Sequence, residues 1–249
     1  MIRGRTLALV ITAWALASPG LAQDGGDLLV STAVSLKEPL FATMQDFMQG
    51  KRGPAFDLHT GGSSVLTQQI LRGAPSQLFL SASPLEVERL VDAGLVVRAC
   101  PLGGNALVVV VPHEGQKLDD LRQLLDARFE RIGVANPRTA PLGRYTAQAL
   151  ETARLQTGLA DKLIRAEHAR QVVDYVARGE VDAAVIYATD ARRFADRVSV
   201  ALEIDPGWHQ PVVYQAVLLE DGASRVWPVR FFEFLCSHRG RFAESGFTQ

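Results

Sequence analysis

His59–Ser83, HTGGSSVLTQQILRGAPSQLFLSAS, sets two glycines and two serines directly before an amphipathic run, then follows that run with a short apolar segment. The order reads as strand, glycine-rich junction, helix, strand. Glycine permits a tight turn, and a serine at a helix start caps the first free N–H groups. The same junction is where unpaired N–H groups and the positive end of a helix dipole meet, which suits an anion. Taken alone, the stretch leaves both a plain cap and an anion site open.

Working outward, the same unit recurs. DLLVSTAVS (27–35) leads into LKEPLFATMQDFMQG, AFDLHTGGSS (55–64) into VLTQQILRGA, and SQLFLSASP (76–84) into LEVERLVDAG. Three βα units before Cys100 predict parallel strands with helices on both faces. GGNALVVVVPHEG (103–115) is a long, nearly continuous apolar strand. After it come a helix over LDDLRQLLDARF (118–129), a strand at RIGVAN, a helix at GRYTAQALETARL, and a helix over AEHARQVVDYVARGE ending near Gly179. VDAAVIYATDARRFADR reads as a buried strand running into a helix start, HQPVVYQAVLLED as a second long strand, and RVWPVRFFEFLCSHRGRFAESGF as C-terminal helices with Pro228 near a helix start.

The predicted fold is therefore α/β and two-lobed, each lobe a mostly parallel sheet flanked by helices. Two crossover strands, near 105–112 and 211–219, form the hinge. Lobe one takes residues 24–104 plus 211–249 and lobe two takes 105–210. Ligands in open α/β sheets gather at the carboxyl ends of strands, so the loops after those strands are expected to face a cleft between the lobes.

Bulk properties narrow the function. The 249 residues suffice for one large domain or two lobes. With 47% hydrophobic and 21% charged residues and a net charge of −1, neither disorder nor a nucleic-acid surface is indicated. MIRGRTLALVITAWALASPGLAQ has a basic start, an apolar run from Leu7 to Ala17 and a small-x-small site at Gly20, Leu21, Ala22. This reads as a secretory signal peptide over residues 1–22, cut after Ala22, and its apolar run is short for a membrane span. An oxidising compartment permits Cys100 and Cys236 to pair, but sequence leaves their proximity open. The five histidines are scattered and no metal-ligand spacing occurs, so no metal site is expected.

The residues at the strand ends share one chemistry. Ser35 follows the first strand and Ser63 the second; Pro141–Gly143 opens one helix, Ala166–Arg170 opens another, and Tyr187 ends the AAVIY strand. Each offers a hydroxyl or the N–H groups of a helix entrance. Converging on one cleft, they make a donor-lined pocket without formal positive charge, suited to a small, fully deprotonated oxyanion.

At these residues the chain resembles the periplasmic molybdate-binding proteins of ABC importers. AVSL around Ser35, GGSSVLTQQILRGAP with LFLSAS, GGNALVVVVP, NPRTAPLGRYTAQAL and ARGEVDAAVIYATDA match in order and spacing, across nearly all of the chain after its leader. The resemblance implies a periplasmic protein that captures molybdate or tungstate without a cofactor and delivers it, as a monomer, to a membrane permease. It implies that Ser35 and Ser63 contribute hydroxyl and backbone N–H, Leu142 and Ala169 backbone N–H, and Tyr187 its hydroxyl. The chain departs from the family at Leu142, where alanine is usual, at Gln77 and Ser83, where aspartate is common, and at Ala106, where serine is frequent.

Plainer readings stand beside these. Tyr187 also fits a core aromatic at a strand end. Arg144, Arg170 and Lys37 read as solvated helix faces, and RRFADR from Arg192 as an exposed one. A hydrolase is disfavoured because GGSSV puts Val65 where the nucleophile elbow G-x-S-x-G needs glycine, and nothing marks a base for Ser63. An exported sensory or scaffold protein with altered oxyanion specificity is the remaining alternative.

Overall fold

The computed structural model describes residues 27–49, 53–113 and 115–248; the predicted leader and its cleavage after Ala22 lie outside them. Three βα units open the chain: β1 (Leu28–Ala33) with α1 (Lys37–Met48), β2 (Phe56–Gly61) with α2 (Ser63–Leu71), and β3 (Leu78–Ser81) with α3 (Pro84–Asp92). They lead to β4 (Val96–Asn105). The chain then passes through Ala106 into β5 (Leu107–Pro112), β6 (Ile132–Ala135), α4 (Pro141–Thr152), the single turn α5 (Gln156–Leu159), β7 (Leu163–Ala166), α6 (Ala169–Ala177), β8 (Ala183–Tyr187), α7 (Ala188–Arg193) and β9 (Val198–Glu203). It returns through 204–211 to β10 (Val212–Leu219), α8 (Glu220–Ala223), α9 (Val226–Ser237) and α10 (Gly240–Glu244).

Two five-stranded sheets result, ordered β2-β1-β3-β10-β4 and β7-β6-β8-β5-β9, each the centre of one lobe. Both are mixed. In the first, β10 runs antiparallel to β3 and β4; in the second, β5 runs antiparallel to β8 and β9. The strands after each crossing thus supply the one reversed strand of each sheet. The parallel registers matter most for the site. Ala33 pairs beside Gly61, and Ala135 beside Ala166, so the loops that follow emerge side by side at one edge of each sheet.

Three strands that the sequence did not announce, β4, β7 and β9, are all sheet edges. β4 contains Pro101 and is half-exposed, so it carries no apolar run; pairing with β10 makes it a strand. The helix predicted over 118–129 is instead a short 3-10 turn, Leu121–Leu125. Its buried apolar residues, Leu118, Leu121 and Leu124, recur every third position, the period at which 3-10 side chains align. Asp120 fixes its start by accepting from the Arg122 N–H at 2.7 Å, while the Gln123 side chain reaches back to the Asp119 N–H.

Aromatic packing seats α9 on the first lobe: Phe231 meets Phe47 of α1 at 5.0 Å and Phe56 of β2 at 4.9 Å between ring centroids, edge to face. Cys100 of β4 and Cys236 of α9 form a disulfide across the same interface, closing the question the sequence left open. Its 136-residue separation encloses the whole second lobe. Closing so long a loop stabilises the fold by about 5 kcal/mol in the chain-entropy account.

Candidate functional site

The ends of β1, β2, β6, β7 and β8 meet in a small pocket between the two sheets. Ser35, Ser63, Leu142, Ala169 and Tyr187 all line it, with Gly62, Ala82 and His168 among their neighbours. The pocket's volume is about 20 Å³, against the roughly 10–15 Å³ that one water needs on the same measure. Such a space suits a small ligand.

Three long helices present their N-termini here. Ser63 is the first residue of α2, Leu142 the second of α4 and Ala169 the first of α6. Their N–H groups precede the intrahelical ladder and need an outside acceptor. No side chain caps α2 or α4. At α6 the cap is His168, whose Nδ1 accepts from the Gln171 N–H at 3.2 Å and so leaves the ring proton on Nε2.

The cap expected at Ser63 does not form. Gly62 occupies the cap position, and the Ser63 Oγ accepts from the Ala82 N–H at 3.0 Å. That bond occupies an oxygen lone pair and leaves the hydroxyl proton free to donate. Tyr187 is buried at the end of β8, and its hydroxyl, beside Tyr214, makes no hydrogen bond of ordinary geometry. Its ring meets that of Tyr214 edge on at 5.9 Å. Burial, followed by the neighbouring Tyr214 and Tyr145, holds the Tyr187 phenol well above its ordinary range, so it meets an anion only as a donor. A buried hydroxyl without a partner is costly, and an acceptor in the pocket removes that cost.

Gly62 has an ordinary φ of −70°. It is needed for space, because a Cβ there would collide with the Thr139 carbonyl oxygen of the opposite lobe. Gly143 is required for the same reason, against the backbone of Ala135–Pro137, and lets α4 start close to β6. Leu142, the departure from alanine that the resemblance implies, is wholly buried, belongs to the core and is among the residues that line the pocket. Gln77, where aspartate is common, is a buried structural residue whose Oε1 accepts from the Leu29 N–H.

Arg144 departs from the solvated position expected of it. Its guanidinium crosses the cleft and donates to Ser64 Oγ at 2.7 Å and Ser83 Oγ at 3.1 Å, and pairs with Glu86 Oε1 at 2.7 Å. Arg170 also points across, toward Glu38 at 4.0 Å, and Arg193 pairs closely with the same carboxylate. The neutral pocket therefore has charged flanks. Sequence offered a signal for the first: an arginine two residues beyond Leu142 sits on the same helix entrance. Its buried acidic partner, 58 positions away in another lobe, had none. Among the described residues no group of three or more His, Cys, Asp or Glu is placed to hold a metal ion, and no helix is long and apolar enough to cross a membrane.

The description "Bacterial extracellular solute-binding protein" matches residues 28–248. The molybdate-binding protein ModA of Escherichia coli is 30% identical over 100% of this chain and 96% of its own length. YvgL of Bacillus subtilis, provisionally described as an ABC transporter substrate-binding lipoprotein, is 31% identical over 89% of this chain and 86% of its own. The periplasmic molybdate-binding protein of Azotobacter vinelandii shares the fold with a TM-score of 0.78 and 21% identity, covering 90% of this chain and 99% of that one. The named relatives are binding proteins, of molybdate in one case and of an ABC transporter's substrate in the other, not enzymes. With its two mixed sheets, its interlobe pocket and a match spanning nearly every described residue, this chain belongs to the bacterial extracellular solute-binding proteins.

Proposed function

We propose that this protein captures a tetrahedral dianion, molybdate or tungstate, in the pocket between its lobes and delivers it to the membrane permease of an ABC importer. The observation that carries the reading is the buried Tyr187 hydroxyl, without a hydrogen bond of ordinary geometry, in a pocket of about 20 Å³ at three helix N-termini. The proposed ligands are the hydroxyl and N–H of Ser35 and Ser63, the N–H of Leu142 and Ala169, and the hydroxyl of Tyr187. All seven are donors, which favours a fully deprotonated anion over one carrying a proton that needs an acceptor. The name of the Escherichia coli relative supports molybdate. The protein works in the periplasm after losing residues 1–22. Its lobes, 24–104 with 211–249 and 105–210, close by hinge motion at the two passages of chain between the sheets.

Calorimetric titration of ligand-free protein with molybdate, tungstate, sulfate and phosphate tests the reading. Molybdate and tungstate are expected to bind alike, because they share charge and shape. Sulfate is expected to bind much more weakly, because its smaller size leaves donors at poor distances. Equal affinity for sulfate overturns the choice of anion. Tyr187→Phe removes one charge-assisted bond of about 1.5–3 kcal/mol, a tenfold to hundredfold loss of affinity. Its ligand-free melting temperature should change little, since that hydroxyl makes no protein hydrogen bond of ordinary geometry to lose. Unchanged affinity in Tyr187→Phe removes this residue from the site.

A further inference from the structure

Glu86 of α3 is an unusual place for a carboxylate: it is 1% exposed, at the base of the first lobe's wall of the cleft. Three groups satisfy it. Ser64 Oγ donates at 2.9 Å and Arg89 at 3.1 Å, both from its own lobe, while Arg144 reaches it at 2.7 Å from the other. Arg144 also holds Ser83, at the start of α3. A single guanidinium thus binds α2 and α3 of one lobe to α4 of the other, next to two proposed ligand segments: Ser64 follows Ser63, and Arg144 lies two residues after Leu142. Tyr145 adds a long contact from the same helix, its hydroxyl 3.4 Å from the Ala82 carbonyl.

We propose that Arg144 is a positioning residue, a latch across the cleft whose bond to Glu86 holds the lobes closed and sets how slowly the bound anion leaves. This rests on the reading of the pocket as an oxyanion site. The arrangement is built to open as well as to close. When Arg144 withdraws, Glu86 keeps Arg89 and Ser64, so opening does not strand a bare carboxylate in the interior. Arg144, its side chain already 24% exposed, swings toward water. The cluster also carries one net positive charge from two arginines and one glutamate, placed beside a pocket proposed for a dianion. Ser83 accepts from Arg144 without cancelling that charge.

Stopped-flow kinetics with molybdate, together with small-angle scattering of ligand-free protein, test the latch in wild type, Arg144→Met, Arg144→Lys, Glu86→Gln and the Arg144→Met/Glu86→Gln double variant. Arg144→Met should raise the dissociation rate about tenfold to a hundredfold and change association less than about threefold, because most interface effects appear in the off-rate. Its ligand-free radius of gyration should increase. Lysine, a point charge without the planar fork, should fall between methionine and wild type. The double variant should release molybdate no faster than Arg144→Met alone, since the two side chains act as one bond. Dissociation within twofold of wild type and unchanged scattering in Arg144→Met overturn the proposal even if Glu86→Gln proves unstable. If wild type binds no oxyanion, the site reading fails and the latch stands or falls on the scattering of Arg144→Met.

Discussion

The cleft is flanked by two arginine–glutamate contacts that differ in what surrounds them. On one side Arg144 enters a buried network of Glu86, Ser64 and Ser83, and the backbone at Gly62 lies against Thr139 with no room for a side chain. On the other, Glu38 meets Arg193 and Arg170 while 41% exposed, and a cavity of about 220 Å³ opens between α1, α7 and α10. Both flanks join the lobes with the same residue types. Burial separates them: water and salt screen the Glu38 cluster, whereas Glu86 is shielded on every side and its partners are fixed. The tight flank governs closure, and the loose flank tolerates change.

The sharpest way to break this contrast is Gly62→Ala. A methyl group there forces Thr139 away, stretching the N–H donors of Leu142 and Ala169 from any anion held by Ser35 and Ser63. Losing two bonds of about 1.5–3 kcal/mol each weakens molybdate binding more than a hundredfold, and the melting temperature of the ligand-free protein falls as the methyl forces the latched lobes apart. Titration and thermal denaturation of the same variant check both halves. Wild-type affinity would show that the lobes do not approach this closely around the ligand.

Asp190 tests the loose flank through pH. It lines the larger cavity with Oδ2 buried and without a partner, and burial, opposed by Arg170, raises its pKa to about 7. Between about pH 4 and 7 the folded protein therefore keeps a proton that the unfolded chain has released. Stability falls as pH rises through that window, and the loss is complete above it. Asp190→Asn mimics the protonated form. It should raise the melting temperature by several degrees at pH 8 and leave it nearly unchanged at pH 4. Melting curves of the two proteins that run parallel from pH 4 to 8 would refute the assignment.

The smallest expected effect is that of Glu38→Gln. Exposed ion pairs contribute little and are screened by salt, so molybdate affinity should shift less than about twofold at physiological ionic strength. A tenfold loss would erase the distinction between the flanks.

Much of this molecule was legible before folding. The alternation of apolar runs with amphipathic stretches fixed the α/β class, because strand and helix impose different periods on side chains that must be buried. The strand-end loops that line the pocket were legible for a related reason. A helix entrance following a strand end is a local feature, and parallel register carries such entrances to one edge whatever lies between them. Edge strands β4, β7 and β9 escaped because half-exposed strands need no apolar run, and the 3-10 turn at Leu121–Leu125 escaped because its threefold spacing lies close to a helical period.

Only the tertiary structure decided the contacts between distant segments. It turned Arg144 from a solvated position into a bond with Glu86, gave the Ser63 hydroxyl to the Ala82 N–H instead of a cap, and made Gly62 a point of contact between lobes. It also joined Cys100 to Cys236. Sequence records which groups a residue can offer; partners brought together across 58 or 136 positions depend on how two sheets settle against each other, and no local period encodes that.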